Sequence, residues 1–195
     1  MSQNTRRASS SANAIHPSSL LARLIEYTTL ATSTVKEIAQ SAHVPFLTPT
    51  AAVSATILKL VQTSKTSKEH LILILEHIHE VLCAIISLHS MTAVERVLPP
   101  GVVNDIGNFM ETLQKVYTFL KAQQEMSKIR QLFKQANSAS QLEACKTGLQ
   151  EAVIAFRVQV GTATVSDIAK LQKDAQQQHE ELTKGVAKKK IRSLC

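Results

Sequence analysis

The sequence predicts an all-α protein, an up-and-down antiparallel four-helix bundle with an extra amphipathic N-terminal helix and an extended polar C-terminal helix. Three observations carry this expectation. Leu71, Ile74, Ile78, Val81, Ile85 and Leu88 follow alternating steps of three and four, which sets all six on one helical stripe that leaves water only by pressing against other helices or lipid. The same stepping returns in Val102, Ile106, Phe109, Leu113, Val116 and Leu120, and again in Leu142, Cys145, Leu149, Ala152, Phe156 and Val160. Finally, 44% of the 195 residues are apolar but only 4% are aromatic, with five Gly, five Pro and no Trp. That is material for a core, without the aromatic runs and frequent turns of a sheet protein.

Residues 1–16 are rich in Ser, Asn, Thr and Ala without periodicity, and are expected to form a disordered arm. Within it Arg6, Arg7 and Ser9 have the form of a basophilic kinase site. Pro17 suits the first turn of a helix, and Leu20, Leu21, Leu24, Ile25, Ala31, Val35 and Ile38 then mark an amphipathic element over 17–43. Its many Thr residues lower intrinsic helicity. It is expected to dock on the bundle, lie on a membrane or pair with another chain.

Pro45 and Pro49 interrupt the chain, and Thr48 reads as the N-cap of a helix carrying Val53, Ile57, Leu60 and Val61. A turn over 64–67 leads into the Leu71–Leu88 helix. Its end is expected between Val94 and Leu98, because Pro99, Pro100 and Gly101 do not continue it. The next helix carries the Val102–Leu120 stripe, and two successive helices with matching seams imply an antiparallel pair. The register fails across Lys121–Glu125 and resumes with Met126, Ile129, Phe133 and Ala136, which predicts a kink or break. Ser138 or Ser140 is expected to open the last helix, running past Gly161 as an exposed polar segment. The bundle proper is thus expected over 47–165, and a polar helix with a basic tail over 166–195.

The stretch from Leu71 to Leu88 is apolar enough to test as a membrane span. Glu76 and Glu80, with His77 and His79, would lie near the bilayer centre, at a cost of roughly 2.5 to 3.5 kcal/mol per acid on insertion scales. A buried bundle helix accounts for the composition better. The expected core seam is therefore Leu71, Ile74, Ile78, Val81, Ile85 and Leu88 against Ile106, Phe109, Leu113, Val116, Leu149 and Phe156.

The formal net charge is +7 and the pI about 9.5, but the excess is local. Lys184, Lys188, Lys189, Lys190 and Arg192 follow Glu181 with no further acid. Such a run attracts anionic lipid at about 1 kcal/mol per basic residue. Lys121, Lys128, Arg130 and Lys134 form a second candidate cationic rim. No aromatic residue interleaves with the tail and no nucleic-acid module is recognisable, so nucleic acid is not an expected partner. The expected partners are an anionic membrane surface and a helical protein, including a second copy. The place is expected to be the cytoplasm, peripheral at membranes.

Catalytic patterns are weak. Glu76 and His79 form a single Glu-x-x-His, whereas a di-metal bundle site needs a second such motif and more carboxylates. No Walker loop, dinucleotide fingerprint or Gly-x-Ser-x-Gly occurs. Cys83, Cys145 and Cys195 are odd in number and far apart, which fits reduced thiols rather than a disulfide or metal framework. Cys195 as the last residue does not fit a prenylation box, and the polar first residues do not fit a secretory signal. The expectation is a non-enzyme without cofactor, metal or small-molecule substrate.

Several segments carry a resemblance. They are Leu98-Pro99-Pro100-Gly101-Val102, Ile106-Gly107-Asn108-Phe109, Phe119-Leu120-Lys121-Ala122-Gln123-Gln124, Ser127-Lys128-Ile129-Arg130-Gln131-Leu132-Phe133 and Cys145-Lys146-Thr147-Gly148-Leu149-Gln150. Together, across about residues 47–165, they resemble a helical N-terminal domain common in proteins of mushroom-forming fungi. That domain is similar in plan to the N-terminal bundle of the mixed-lineage-kinase-domain-like pseudokinase, to HeLo-type domains and to the helical Cbl adaptor N-terminus. The resemblance implies signal transduction in cell death or innate immunity, by membrane association or as an adaptor. It supplies no catalytic residues. The chain departs from the family's usual plan in carrying no nucleotide-binding module after the bundle.

Overall fold

The computed structural model describes residues 17–91, 98–125 and 135–192, with side chains of the last stretch described over 138–178. The described residues are all-helical: α1 (Pro17–Ala42), α2 (Leu47–Thr63), α3 (Lys68–Met91), α4 (Pro100–Glu125) and α5 (Gln135–Arg192). At 1.5 Å per residue, α1 to α4 are about 26 to 39 Å long and the 58-residue α5 about 87 Å.

The helices close into a ring in the order α1, α3, α5, α4, α2. Lys68 Nζ donates to Ser18 Oγ at 2.6 Å, joining the starts of α1 and α3, so these neighbours run parallel. Gln124 Nε2 donates to Thr63 Oγ1 at 2.9 Å, joining the ends of α2 and α4, which are also parallel. By contrast α5 runs antiparallel to α4: Gln123 near the end of α4 donates to Ser138 at the start of α5, and Gln159 Nε2 donates to Asp105 Oδ2 at 2.9 Å near the other end.

The five helices thus alternate in direction along the chain, but the ring does not pair sequence neighbours in the way expected of a four-helix bundle with an added helix. The successive helices α3 and α4 are not close backbone neighbours; α3 lies between α1 and α5, and α4 between α2 and α5. Leu75 and Leu82 supply the physical reason. Both are fully buried beside the Leu71–Leu88 stripe, widening it until one partner helix cannot cover it. The eight residues between Met91 and Pro100 can reach about 27 Å when extended, enough to cross one end of the ring. Nor is α1 an added element. Leu24, Ala31, Val35, Ile38 and Ala39 face inward, so its apolar stripe is consumed by the bundle.

A local side-chain signal sets the start of α3. Ser67 caps α3: its carbonyl accepts from Leu71 N–H at 3.1 Å and its Oγ from His70 N–H at 3.4 Å. Glu69 in that first turn has its carboxyl held below the usual range by its own backbone N–H and the Ser67 hydroxyl. Thr48 is not the cap of α2. That helix begins at Leu47, and its N-cap is Phe46, with a left-handed φ of 66° and no side-chain cap bond. The half-exposed Phe46 ring lies beside Gly107 of α4, where an added Cβ would meet it at 3.5 Å. α3 is helical to Met91, and residues 92–97, which hold the expected end, lie outside the described residues. α4 stays helical through Lys121–Glu125, where its described stretch ends; Met126, Ile129 and Phe133 lie outside the described residues. α5 opens at Gln135, ahead of both Ser138 and Ser140, and continues through Gly161 and Ser166 without a break.

All twelve expected seam residues are buried, and they meet in one cluster with Val35, Leu47, Ile57 and Leu75. At its centre Phe109 of α4 and Phe156 of α5 pack edge to face, 6.4 Å between ring centroids. Two described helices are long and apolar enough to cross a membrane by length and composition. One is α3, with mean hydropathy 2.0 over an 18-residue window that is 44% buried; the other is α5, with mean hydropathy 1.2 in a window only 11% buried.

Candidate interaction surface

Helix α5 is apolar on two opposite faces. Its inner face carries Cys145, Leu149, Val153 and Phe156, all buried, and continues to the half-buried Val160 and Ala163. Its outer face carries Ile154, Val158, Val165, Ile168 and Leu171, between 54% and 68% exposed. Residues 154 and 156 are two positions apart, about 200° around a helix of 3.6 residues per turn, so the two stripes point away from each other. Beyond Ala163, α5 contributes no further described residue to the core cluster. It extends roughly 40 Å to Arg192 past its last core contact.

The outer stripe lies partly in the stretch that the sequence reads as an exposed polar helix past Gly161. The missed signal is a second seam, Ile154, Val158, Gly161, Val165 and Ile168, at steps of four, three, four and three. It is interleaved with the Leu142–Val160 stripe, so one apolar run reads as one face until the two are separated by angle.

The expected cationic residues separate into three groups. Lys121 is described: its ammonium is 4.0 Å from Glu125 and 5.9 Å from the Tyr117 ring centroid, an exposed pair on one helix edge. Lys128, Arg130 and Lys134 lie outside the described residues. Lys184, Lys188, Lys189, Lys190 and Arg192 fall on the α5 backbone, which is helical through Arg192; their side chains are outside the described set.

The His-rich stretch of α3 is absorbed into packing. The His79 ring lies tilted at 37° to that of Tyr27 of α1, 6.5 Å between centroids, and its Nε2 lies 3.5 Å from Cys83 Sγ. Glu80 pairs with Arg157 of α5, an exposed charge-assisted contact that raises the guanidinium pKa further. His77 Nδ1 is buried without a hydrogen-bond partner among the described residues. Among the described residues no three His, Cys, Asp or Glu side chains gather as a metal site.

Both described thiols have raised pKa values. Burial is the main cause at Cys83, with Glu80 adding to it; at Cys145 burial raises the value and Lys115 opposes. Cys145 lines a mostly apolar groove of about 550 Å³ between α4 and α5, with Met110, Gln114, Phe119 and Ala144. A thiol held protonated there is a weak nucleophile.

The arrangement therefore offers an extended apolar ridge on a projecting helix, whose C-terminal end bears the basic run. No protein-family model, curated protein or solved structure matches this chain.

Proposed function

We propose that this protein is a non-enzymatic signalling or adaptor module of the cell-death or innate-immunity type, working by association with an anionic membrane surface and by helix-mediated protein contact. The observation that carries this reading is α5, which leaves a packed bundle as a long arm with an unpartnered apolar face and ends in Lys184, Lys188, Lys189, Lys190 and Arg192. Enzymes converge side chains on a concavity; this chain spends its longest element on a convex ridge. The resemblance to fungal, HeLo-type and adaptor bundles over 47–165 supports the same class.

Recruitment rests on the tail, whose five basic residues each add about 1 kcal/mol near an anionic leaflet. Activation is a release. α1 covers one flank of α3, the most apolar helix, and a trigger that displaces α1 bares surface whose reburial is worth about 25 cal/mol per Å².

Vesicle flotation tests the membrane arm. Full-length protein is expected to float with phosphatidylserine-containing vesicles and not with purely zwitterionic ones, and the variant with all five tail residues changed to Gln to stay behind. Equal binding to both vesicle types, or to neither, removes the membrane arm. That outcome would leave the second reading, an adaptor that engages protein only, which the Gln, Thr and Ala side chains along the outer face of α5 favour.

A further inference from the structure

We infer that the outer face of α5 is a homotypic docking surface, occupied by the same face of a second copy of this chain. The inference deepens the proposed contact function and rests on that reading for its protein arm. From Val158 to Gln178 the stripe and its flanks form a coiled-coil pattern in which every seam and flank position is uncharged. The charges of this stretch, Asp167, Lys170, Lys173 and Asp174, all fall on the far side. Two flanking hydroxyls, Thr162 and Thr164, donate to the carbonyls of Val158 at 2.9 Å and Val160 at 2.8 Å. Their burial against a partner therefore leaves no orphaned donor.

Three considerations select a second copy. A different helical partner is ordinarily chosen through complementary charges beside the seam; from Val158 onward this face has none, and Arg157 beside Val158 is already engaged by Glu80 of α3. A bilayer would have to accept Gln172, Gln176 and Gln178 on the same face, whereas a facing helix satisfies amides by pairing them. An uncharged, evenly stepped ridge is complementary to itself under two-fold symmetry, the commonest symmetry of protein pairs. The transfer scale implies roughly 60 to 120 Å² for a Val, Leu or Ile side chain, so five at about 60% exposure offer roughly 180 to 360 Å² of apolar surface per chain. That is less than half of the roughly 800 Å² per partner of a standard interface, so the dimer depends on the Thr, Ala and Gln residues between them for the rest of its contact and is expected to be a weak one.

The test is sedimentation equilibrium of the full chain at micromolar to about 100 μM concentration, with vesicle flotation on the same samples. Wild type is expected to sediment as a dimer. Val165→Asp with Ile168→Asp is expected to weaken association at least about a hundredfold, giving a monomer at the same concentration. Both sites are exposed in the free chain, so its helical circular dichroism should match the wild type, and its melting point should match that of wild type diluted until it is monomeric. Asp174→Ala, on the far side, is expected to remain dimeric. A wild-type monomer throughout the range, or a dimer indifferent to the double substitution, overturns the inference. So does a monomeric wild type whose vesicle binding is lost in the double variant, which would assign the ridge to lipid. Flotation that persists in the monomeric double variant leaves the membrane arm of the proposed function intact, so the two ideas fail separately.

Discussion

Three helical glycines allow one substitution to be tested against three measured surroundings. Gly161 of α5 has nothing within 4 Å of a built Cβ; Gly107 of α4 would place it 3.5 Å from the Phe46 ring; Gly148 of α5 would place it 3.1 Å from Thr112 Cγ2 and 3.3 Å from Thr112 Oγ1. Replacing a helical Gly by Ala is worth about 1 kcal/mol where space is free, through the reduced backbone freedom of the unfolded chain and better helix propensity. Gly161→Ala should therefore stabilise by about that amount, and Gly107→Ala by somewhat less, because 3.5 Å is ordinary contact. At Gly148 the neighbour has to give way. Thr112 is buried and β-branched, and its hydroxyl donates to Asn108 O at 3.1 Å, so rotation about χ1 breaks that bond. Overpacking of this kind costs about 1 to 3 kcal/mol, which offsets or exceeds the propensity gain.

The expected order of stability is Gly161→Ala above Gly107→Ala above wild type, with Gly148→Ala level with wild type or below it. For a chain of this size 1 kcal/mol moves the midpoint by about 2 to 4 °C, so extremes separated by about 1 to 3 kcal/mol should differ by about 2 to 12 °C. Thermal unfolding followed at 222 nm and urea titration measure it. A Gly148→Ala variant as stabilised as Gly161→Ala would refute the close approach of α4 and α5 at Thr112.

Phe156→Ala removes half of the central aromatic pair and should cost about 3 to 5 kcal/mol in urea unfolding, a large share of a typical domain's stability. Arg157→Ala breaks only an exposed pair with Glu80, so its small effect on the melting point should vanish as salt is raised to about 0.5 M. In a Cys195→Ser background, Cys83 and Cys145 should be alkylated by iodoacetamide more slowly than free cysteine at pH 8, the rate still climbing at pH values where free cysteine has levelled off. Burial holds both thiols protonated. Thr50→Val and Ser54→Ala remove buried hydroxyls with no hydrogen-bond partner among the described residues and should each stabilise by about 1 kcal/mol. Thr112→Val, which discards a made bond, should destabilise.

The helices and the core residues were legible because their signal is periodic and local: twelve seam positions chosen by spacing alone are buried. Pairing was not legible. Stripe spacing says that a helix has a partner, not which partner; the extra buried width of Leu75 and Leu82 calls for two flanking helices, and these are α1 and α5 rather than α4. Helix starts were legible where a side chain makes the cap, as at Ser67, and illegible at Phe46, a left-handed residue beside Gly107 that propensity would never place there. The outer ridge of α5 was hidden for a related reason. Two seams of equal period on opposite faces cancel in any average over the helix, and only the burial of one of them distinguishes the other.

The same accounting bears on how the bundle would open. On the α4 and α5 side the ring is closed by Phe109, Phe156, Leu149 and Val116, large side chains with no polar atom to satisfy. On the α1 and α2 side the inward positions include Thr28, Thr32, Thr50 and Ser54, and three of these four hydroxyls are buried without a partner among the described residues. Each unpartnered hydroxyl costs about 1 to 3 kcal/mol that is recovered when water reaches it. Displacing α1 and α2 from the core therefore regains hydration that separating α4 from α5 does not. Under the release mechanism these hydroxyls set the threshold. Thr50→Val and Ser54→Ala then act twice, raising the unfolding free energy and lowering the fraction of molecules that bare the Leu71–Leu88 stripe, by about tenfold for each 1.4 kcal/mol gained.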